Sequence, residues 1–168
     1  MLSDAKWISP PIPSDERCFV FGKKFDVTGR VKKAVLSVTA MGMYMAYVNS
    51  ERADKGIFNP GFTSYNKRVQ YQEIEIANLT EGENELNIVA AEGWAVGYLR
   101  IGENFRNHYA DNIAVLFSLD ITYSDGKTEK VVSDEGTSVR TSHIIRSSLY
   151  HGETIDMTAK TECIGSAA

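Results

Sequence analysis

Carboxylates are the side chains of this sequence that come closest to a catalytic arrangement. Glu153 and Asp156 lie three positions apart in the stretch Gly-Glu-Thr-Ile-Asp. Two carboxyl groups roughly 5 to 10 Å apart could hydrolyse a glycosidic bond. In an extended segment, however, side chains an odd number of positions apart point to opposite faces. The pair is therefore predicted to be structural, and no catalytic residue is expected in the chain.

Histidine and cysteine offer no further catalytic centre. His108, His143 and His151 are isolated and lack the close spacing of zinc ligands. Cys18 and Cys163 are too far apart for a Cys-x-x-Cys metal or redox site. We expect two free thiols, with a disulfide between them as the alternative. No nucleophile–histidine–acid arrangement and no glycine-rich phosphate loop is recognisable.

Calcium is the one cofactor for which ligands are recognisable. Asn49, Asp54 and Asn59 place three side-chain oxygens in one segment. Calcium takes about six to eight oxygens, often from such loops and their carbonyls. The segment lacks the contiguous Asp-rich pattern of dedicated calcium loops. We therefore predict that the protein binds no cofactor, with calcium as the alternative.

Aromatic side chains are the best candidates for a binding surface. Trp94 and Tyr98 follow an apolar segment, whereas Phe62 and Tyr65 lie in Pro-Gly-Phe-Thr-Ser-Tyr. Such rings can stack on the apolar face of a sugar. They could equally plug the end of the core, brace a loop or pack against a neighbouring domain. The candidates for a carbohydrate-binding surface or a domain interface are Trp94, Tyr98, Phe62, Tyr65 and Asn49.

The elements that must position these residues are strands. In residues 112–123 every second residue is apolar, a strict period of two that is typical of a strand against a core. Asp125-Gly126 follows, a strong hairpin signal. Shorter strands are predicted over 17–25, 33–40, 43–48, 68–76, 85–91 and 128–133.

Three local expectations accompany these strands. In 68–76 the apolar phase slips, which predicts a bulge near Gln72 and Glu73. Residues 81–84 are predicted to form a turn. Residues 49–67 and 93–111 are two long loops, and loops of that length are often functional.

Many short strands and almost no helical periodicity predict an all-β fold, an antiparallel β-sandwich of jelly-roll type. We expect one domain over residues 1–158 and a tail or truncated linker over 159–168.

Composition excludes several classes of protein. The 168 residues are 43% hydrophobic and 24% charged, close to an average globular protein. The net charge of -4 and the scattered basic residues argue against nucleic-acid binding. No apolar run approaches the length of about 18 residues that a membrane span needs. No signal peptide is recognisable, so a cytoplasmic location is the expectation.

A series of short motifs resembles the N-terminal domain of bacterial α-L-rhamnosidases. In order, they are WISP at 7–10, VTAMGMYMAYVN at 38–49, PGFTSY at 60–65, GEN at 82–84, EGWAVG at 92–97, YSDG at 123–126 and YHGETIDM at 150–157. Each motif is weak alone, and their order and spacing are specific together. Two positions depart from the family pattern. Ser50 stands where the family usually has glycine after Asn49, and Ala95 stands where an aromatic residue often follows the tryptophan, so the surface has one aromatic ring fewer.

The resemblance implies a non-catalytic accessory domain. The family's catalytic residues lie in a separate (α/α)6-barrel, which is then the expected partner, together with rhamnose-containing glycans. The alternatives are a free-standing, lectin-like carbohydrate-binding module and a purely structural interaction domain. An exposed apolar surface on the 93–111 loop is expected, and it could also support a weak homodimer.

Overall fold

The computed structural model describes residues 2–99 and 105–166, which form an antiparallel β-sandwich. Its elements are a 3-10 helix (Leu2–Asp4), β1 (Phe19–Val27), β2 (Val31–Met41), β3 (Met43–Val48), β4 (Glu51–Arg52), β5 (Gln72–Glu75), β6 (Gly82–Ala91), β7 (Ala114–Tyr123), β8 (Thr128–Val132), β9 (Ser138–Thr141), β10 (Ile144–Ser148), β11 (Gly152–Ile155) and β12 (Cys163–Ser166). One sheet has the order β12-β9-β1-β6-β3-β4 and the other the order β5-β2-β7-β8. The predicted all-β sandwich is confirmed. The described part of the chain contains no helix that is long and apolar enough to cross a membrane.

The core lies between these two sheets and follows the alternation visible in the sequence. Strand β7 turns Val115, Phe117, Leu119 and Ile121 inward, each at most 1% exposed. Burying such a side chain stabilises the fold by about 1.5 to 3 kcal/mol. Because β7 pairs with β2 on one side and β8 on the other, its position in the sheet is central.

The hairpin predicted at Asp125-Gly126 is confirmed. Gly126 has a φ of 90°, a conformation that glycine adopts without steric cost. Its amide donates to the Tyr123 carbonyl at 3.1 Å, and the Tyr123 amide donates to the Lys127 carbonyl at 2.9 Å. The turn thereby positions β8 for antiparallel pairing with β7.

The bulge predicted near Gln72 and Glu73 is wrong. Strand β5 pairs with β2 without a register shift and begins only at Gln72. Val69 and Tyr71 precede the strand, and Tyr71 is 51% exposed. The phase slip therefore marks the boundary between loop and strand, where side-chain alternation ends.

Several segments hold more strand than the sequence indicates. Strand β4 lies inside the predicted 49–67 loop, and β9, β10 and β11 lie where no strand is predicted. Strand β6 begins at Gly82, inside the predicted 81–84 turn. Within the predicted tail, β12 pairs with β9 at the edge of the six-stranded sheet. Edge pairing relies mainly on backbone hydrogen bonds, so a four-residue strand there leaves little apolar pattern in the sequence.

A β10–β11 hairpin adds a third layer. It forms a separate two-stranded sheet, and the Ser147 amide ties it to the Glu16 carbonyl at 2.7 Å. The hairpin lies over the outer face of the six-stranded sheet, where Met43, Met45 and Val89 of β3 and β6 are partly buried. This explains why β3 is apolar on both of its faces.

Candidate functional site

The two long loops meet through aromatic rings. The ring of Trp94 lies 6.0 Å from that of Phe58 and 6.0 Å from that of Phe62, measured between centroids. Phe62 in turn lies 6.1 Å from Tyr65. All three contacts are edge-to-face, the geometry that aromatic quadrupoles favour. Residues of the 49–67 loop and the start of the 93–111 loop therefore form one surface.

The run of rings continues along the second loop. Centroid distances are 5.1 Å for Tyr65–Tyr109, 4.6 Å for Tyr109–His108 and 5.0 Å for His108–Phe105. We call the whole set the aromatic cluster; its members are Phe58, Phe62, Tyr65, Trp94, Phe105, His108 and Tyr109.

One side of the aromatic cluster faces solvent. Phe58 is 54% exposed, Phe62 57%, and the neighbouring Ile57 78%. Phe58 also has a φ of 62°, a backbone conformation that is uncommon for a bulky residue. An exposed aromatic side chain held on a strained backbone is typical of a functional surface.

Tyr65 anchors the cluster to the fold. It is 7% exposed, and its hydroxyl donates to the Gly61 carbonyl at 2.9 Å. Burial raises the pKa of Tyr65, so the hydroxyl stays protonated as a donor. Tyr65 therefore braces the 49–67 loop, one of the roles considered for it, while Phe62 and Trp94 reach the surface.

Tyr98 belongs to a neighbouring polar network rather than to the aromatic cluster. Its ring packs edge-to-face against His151 at 4.5 Å and lies beneath the Arg106 guanidinium at 5.4 Å. His151 in turn lies 3.3 Å from the Glu16 carboxylate. Partial burial disfavours the charge of Glu16, but Arg146 and His151 outweigh it and hold its pKa below the usual value.

Glu92 organises this network and is not among the candidates found in the sequence. It is 2% exposed, and Oε1 accepts hydrogen bonds from the Ser14 hydroxyl at 3.0 Å, the Glu16 amide at 2.8 Å and Arg106 Nη2. Its other oxygen, Oε2, is buried and has no partner among the described residues. Glu92 thus joins the segment before β1 to the 93–111 loop.

A signal for Glu92 exists in the sequence. Leu86, Ile88 and Ala90 alternate inward along β6, and Glu92 continues the same phase. A carboxylate in an inward phase is buried and must be paired.

Asn49 lies at a tight turn away from the aromatic cluster. Its backbone φ is 50°, which asparagine tolerates better than most residues. Its amide nitrogen donates to the Asn78 carbonyl at 3.0 Å and to Asn84 Oδ1 at 2.8 Å. Its side-chain oxygen accepts from the Glu85 amide at 3.0 Å. The structure therefore gives Asn49 a turn-fixing position.

The oxygens considered for calcium do not converge. Asp54 is 4% exposed, and its Oδ2 accepts from the Ala46 amide at 2.7 Å. Its Oδ1 accepts from Arg52 at 3.0 Å and faces Asn59 Nδ2 at 3.4 Å. Both carboxylate oxygens thus serve protein donors, and Asn49 hydrogen-bonds elsewhere. Within residues 2–99 and 105–166, no three His, Cys, Asp or Glu side chains form a metal-binding group.

Glu153 and Asp156 have separate environments. Asp156 Oδ1 accepts from the Thr158 amide at 2.8 Å and the Thr158 hydroxyl at 2.6 Å, which lowers the pKa of Asp156. Glu153 is exposed on β11. Asp156 therefore has a structural role, because its carboxylate stabilises the turn at Thr158.

Both cysteines are free thiols, as expected, so the alternative of a disulfide between them is wrong. Cys18 is buried and Cys163 is exposed. Burial raises the pKa of Cys18 to about 12, which keeps this thiol protonated and unreactive.

Comparison with known proteins gives a consistent result. Residues 29–165 match the family described as the α-L-rhamnosidase N-terminal domain. An α-L-rhamnosidase of Streptomyces avermitilis is 33% identical over 133 residues, which cover 79% of this chain and 13% of that protein.

Solved structures extend the likeness. The native α-L-rhamnosidase from Aspergillus terreus matches with a TM-score of 0.85 and 33% identity, over 92% of this chain and 18% of that one. The Pleurotus ostreatus lectin in complex with GalNAc matches at 0.61 with 21% identity, over 99% of this chain and 43% of that one, and shares the fold alone. The chain spans less than a fifth of the length of the two rhamnosidases.

Proposed function

Because the chain belongs to the α-L-rhamnosidase N-terminal domain family, we propose that it serves a larger α-L-rhamnosidase as a non-catalytic domain. In this role the aromatic cluster packs against another part of the enzyme, for which the resemblance implies an (α/α)6-barrel. We propose no cofactor for this role; the protein hydrogen bonds that both carboxylate oxygens of Asp54 accept support this over the calcium alternative.

The exposed half of the aromatic cluster carries this proposal. Phe58 and Phe62 are each more than half exposed, and both contact Trp94. Monomeric proteins seldom leave contiguous apolar patches larger than a few hundred Å² uncovered unless a partner or ligand occupies them. An adjoining domain of the same enzyme is the simplest partner, because interfaces within one chain are of moderate size.

The isolated chain is expected not to release p-nitrophenol from p-nitrophenyl α-L-rhamnoside above the uncatalysed rate. The reason is that Glu153 and Asp156, the carboxylate pair singled out in the sequence, do not share a site. A longer protein that joins this domain to a catalytic barrel is the positive control. Activity that copurifies with the isolated chain to homogeneity would contradict the non-catalytic role.

Replacing Phe58 and Phe62 together by serine is expected to weaken association with the rest of the enzyme by about 2 kcal/mol, or roughly 30-fold. The two rings are half-exposed, so docking buries about half of each. Calorimetric titration of the separately produced domain into an enzyme lacking it measures the effect. Tyr71→Ser is the matched control, since Tyr71 is 51% exposed but lies outside the cluster. Equal affinities for the double variant and the control would exclude the cluster as the interface.

Carbohydrate binding is the second candidate, and the same exposed rings favour it. Phe62 and Trp94 present the kind of surface on which a sugar can stack. In a Trp7→Phe background, Trp94 is the only tryptophan, so its fluorescence reports on the cluster. A saturable response to L-rhamnose that disappears in the Phe58→Ser/Phe62→Ser variant, without loss of docking, would establish the lectin-like role instead.

A further inference from the structure

A recess distinct from the surface of the aromatic cluster lies between the β10–β11 hairpin and the six-stranded sheet. It is a cavity of about 240 Å³. Its floor is the outer face of β3 and β6, where Met43, Met45, Val89 and Ala91 are apolar. Unbranched thioether side chains adapt to the shape of a ligand and contact aromatic or aliphatic groups well. The floor therefore suits an apolar body.

Two charged side chains line the cavity, and within residues 2–99 and 105–166 only one has an ion-pair partner. Arg52 Nη2 donates to Asp54 Oδ1 at 3.0 Å and to the Gly56 carbonyl at 2.6 Å. Glu153, which lines the cavity from β11, has no hydrogen bond or ion pair from its carboxylate among residues 2–99 and 105–166. The described lining therefore carries one uncompensated negative charge.

Neighbouring groups add to the preference for a cation. Phe58 is among the residues that line the cavity, and aromatic rings attract ammonium groups at their faces. Ser147 also lines it and carries a hydroxyl that can accept a hydrogen bond. The chain as a whole has a net charge of -4, which raises the local concentration of cations.

We propose that this cavity binds a small primary alkylamine in its ammonium form. The alkyl stem lies along Met43 and Met45, and the ammonium group pairs with Glu153. At roughly 30 Å³ for each water-sized group, the cavity of about 240 Å³ has room for about eight such groups, which is more than the heavy atoms of n-butylammonium require. The proposal can be tested apart from the docking role, because Met43, Met45 and Glu153 lie outside the aromatic cluster, whereas Phe58 belongs to both.

The chain contains five methionines, so [methyl-13C]methionine labelling gives a simple readout. Titration with n-butylammonium chloride is expected to shift the Met43 and Met45 methyl signals saturably. Met157, which is 74% exposed and does not line the cavity, should stay unchanged. Met43→Leu and Met45→Leu variants assign the two signals.

Glu153→Gln is expected to weaken binding of n-butylammonium about fivefold, the upper end for an exposed ion pair. Glu73→Gln is the matched control, because Glu73 is also exposed on a strand but does not line this cavity. 1-Butanol should bind the wild type more weakly than n-butylammonium does. The Glu153→Gln variant should bind the two compounds with equal affinity. The proposal is overturned if the methyl signals show no saturation, or if n-butylammonium binds the wild type and Glu153→Gln with equal affinity.

Discussion

Phe117→Ala is expected to lower the free energy of unfolding by about 3 to 5 kcal/mol, the usual cost of removing a fully buried aromatic ring. Phe117 is completely buried near the middle of β7. Its backbone lies opposite Val38 of β2 in the sheet, which fixes the strand around the void that the substitution creates. The core cannot collapse freely onto such a cavity, so the loss includes a cavity contribution as well as the transfer of the ring.

Urea denaturation of the variant and the wild type measures this loss. The dependence of the free energy on urea should stay the same, so that the midpoint alone moves. Leu116→Ala is the matched control, because Leu116 is the adjacent residue on the opposite, partly exposed face of the strand. The control should lose clearly less stability. An unchanged midpoint for Phe117→Ala would mean that the face of β7 that carries Phe117 does not pack in the core.

The sequence predicts β7 well because a single physical requirement acts on every residue of that strand. One face of a sandwich strand meets the core, so the alternation of Val115 to Tyr123 is visible without any neighbour. Asp125-Gly126 adds a local steric signal that also needs no tertiary information. The class of fold follows from such repeated local signals.

Strands at the edges of the sheets are harder to predict. Strand β5 has only four residues, of which Glu73 and Glu75 face solvent. Strand β12 is similarly short, and its register with β9 shifts between Cys163 and Gly165. Such strands are held by backbone hydrogen bonds to a partner that is distant in sequence, so residue types alone carry little information about them.

In the candidate site, too, the sequence reveals individual residues but not the contacts between distant ones. Trp94 and Phe62 could be selected because aromatic rings in a loop can stack on a sugar, whereas the contact of Trp94 with Phe58 could not. That contact joins two loops whose approach depends on how β3 and β6 pair. Ring contacts between such distant residues appear only once the sheet order is known.

Glu92→Ala is expected to destabilise the domain by about 3 kcal/mol, the lower end for breaking a buried ion pair. The substitution removes the buried carboxylate that pairs with Arg106, which keeps only the exposed Asp15 at 3.4 Å among its described ion-pair partners. It also removes the acceptor of the Ser14 hydroxyl and the Glu16 amide. The lower end applies because the Arg106 side chain is 25% exposed, so water can compensate part of its charge.

Glu83→Ala is the matched control for this prediction. Glu83 pairs with Lys24 at 2.9 Å, but both side chains are 65% exposed, so this variant should unfold at the same midpoint as the wild type. If Glu92→Ala behaves like Glu83→Ala, the buried pair contributes nothing to stability.

Glu92 also joins the segment before β1 to the loop that carries Trp94, so its loss should loosen the aromatic cluster. In the Trp7→Phe background, acrylamide should then quench Trp94 more efficiently in the Glu92→Ala variant than in the Glu83→Ala control, even under conditions where both remain folded.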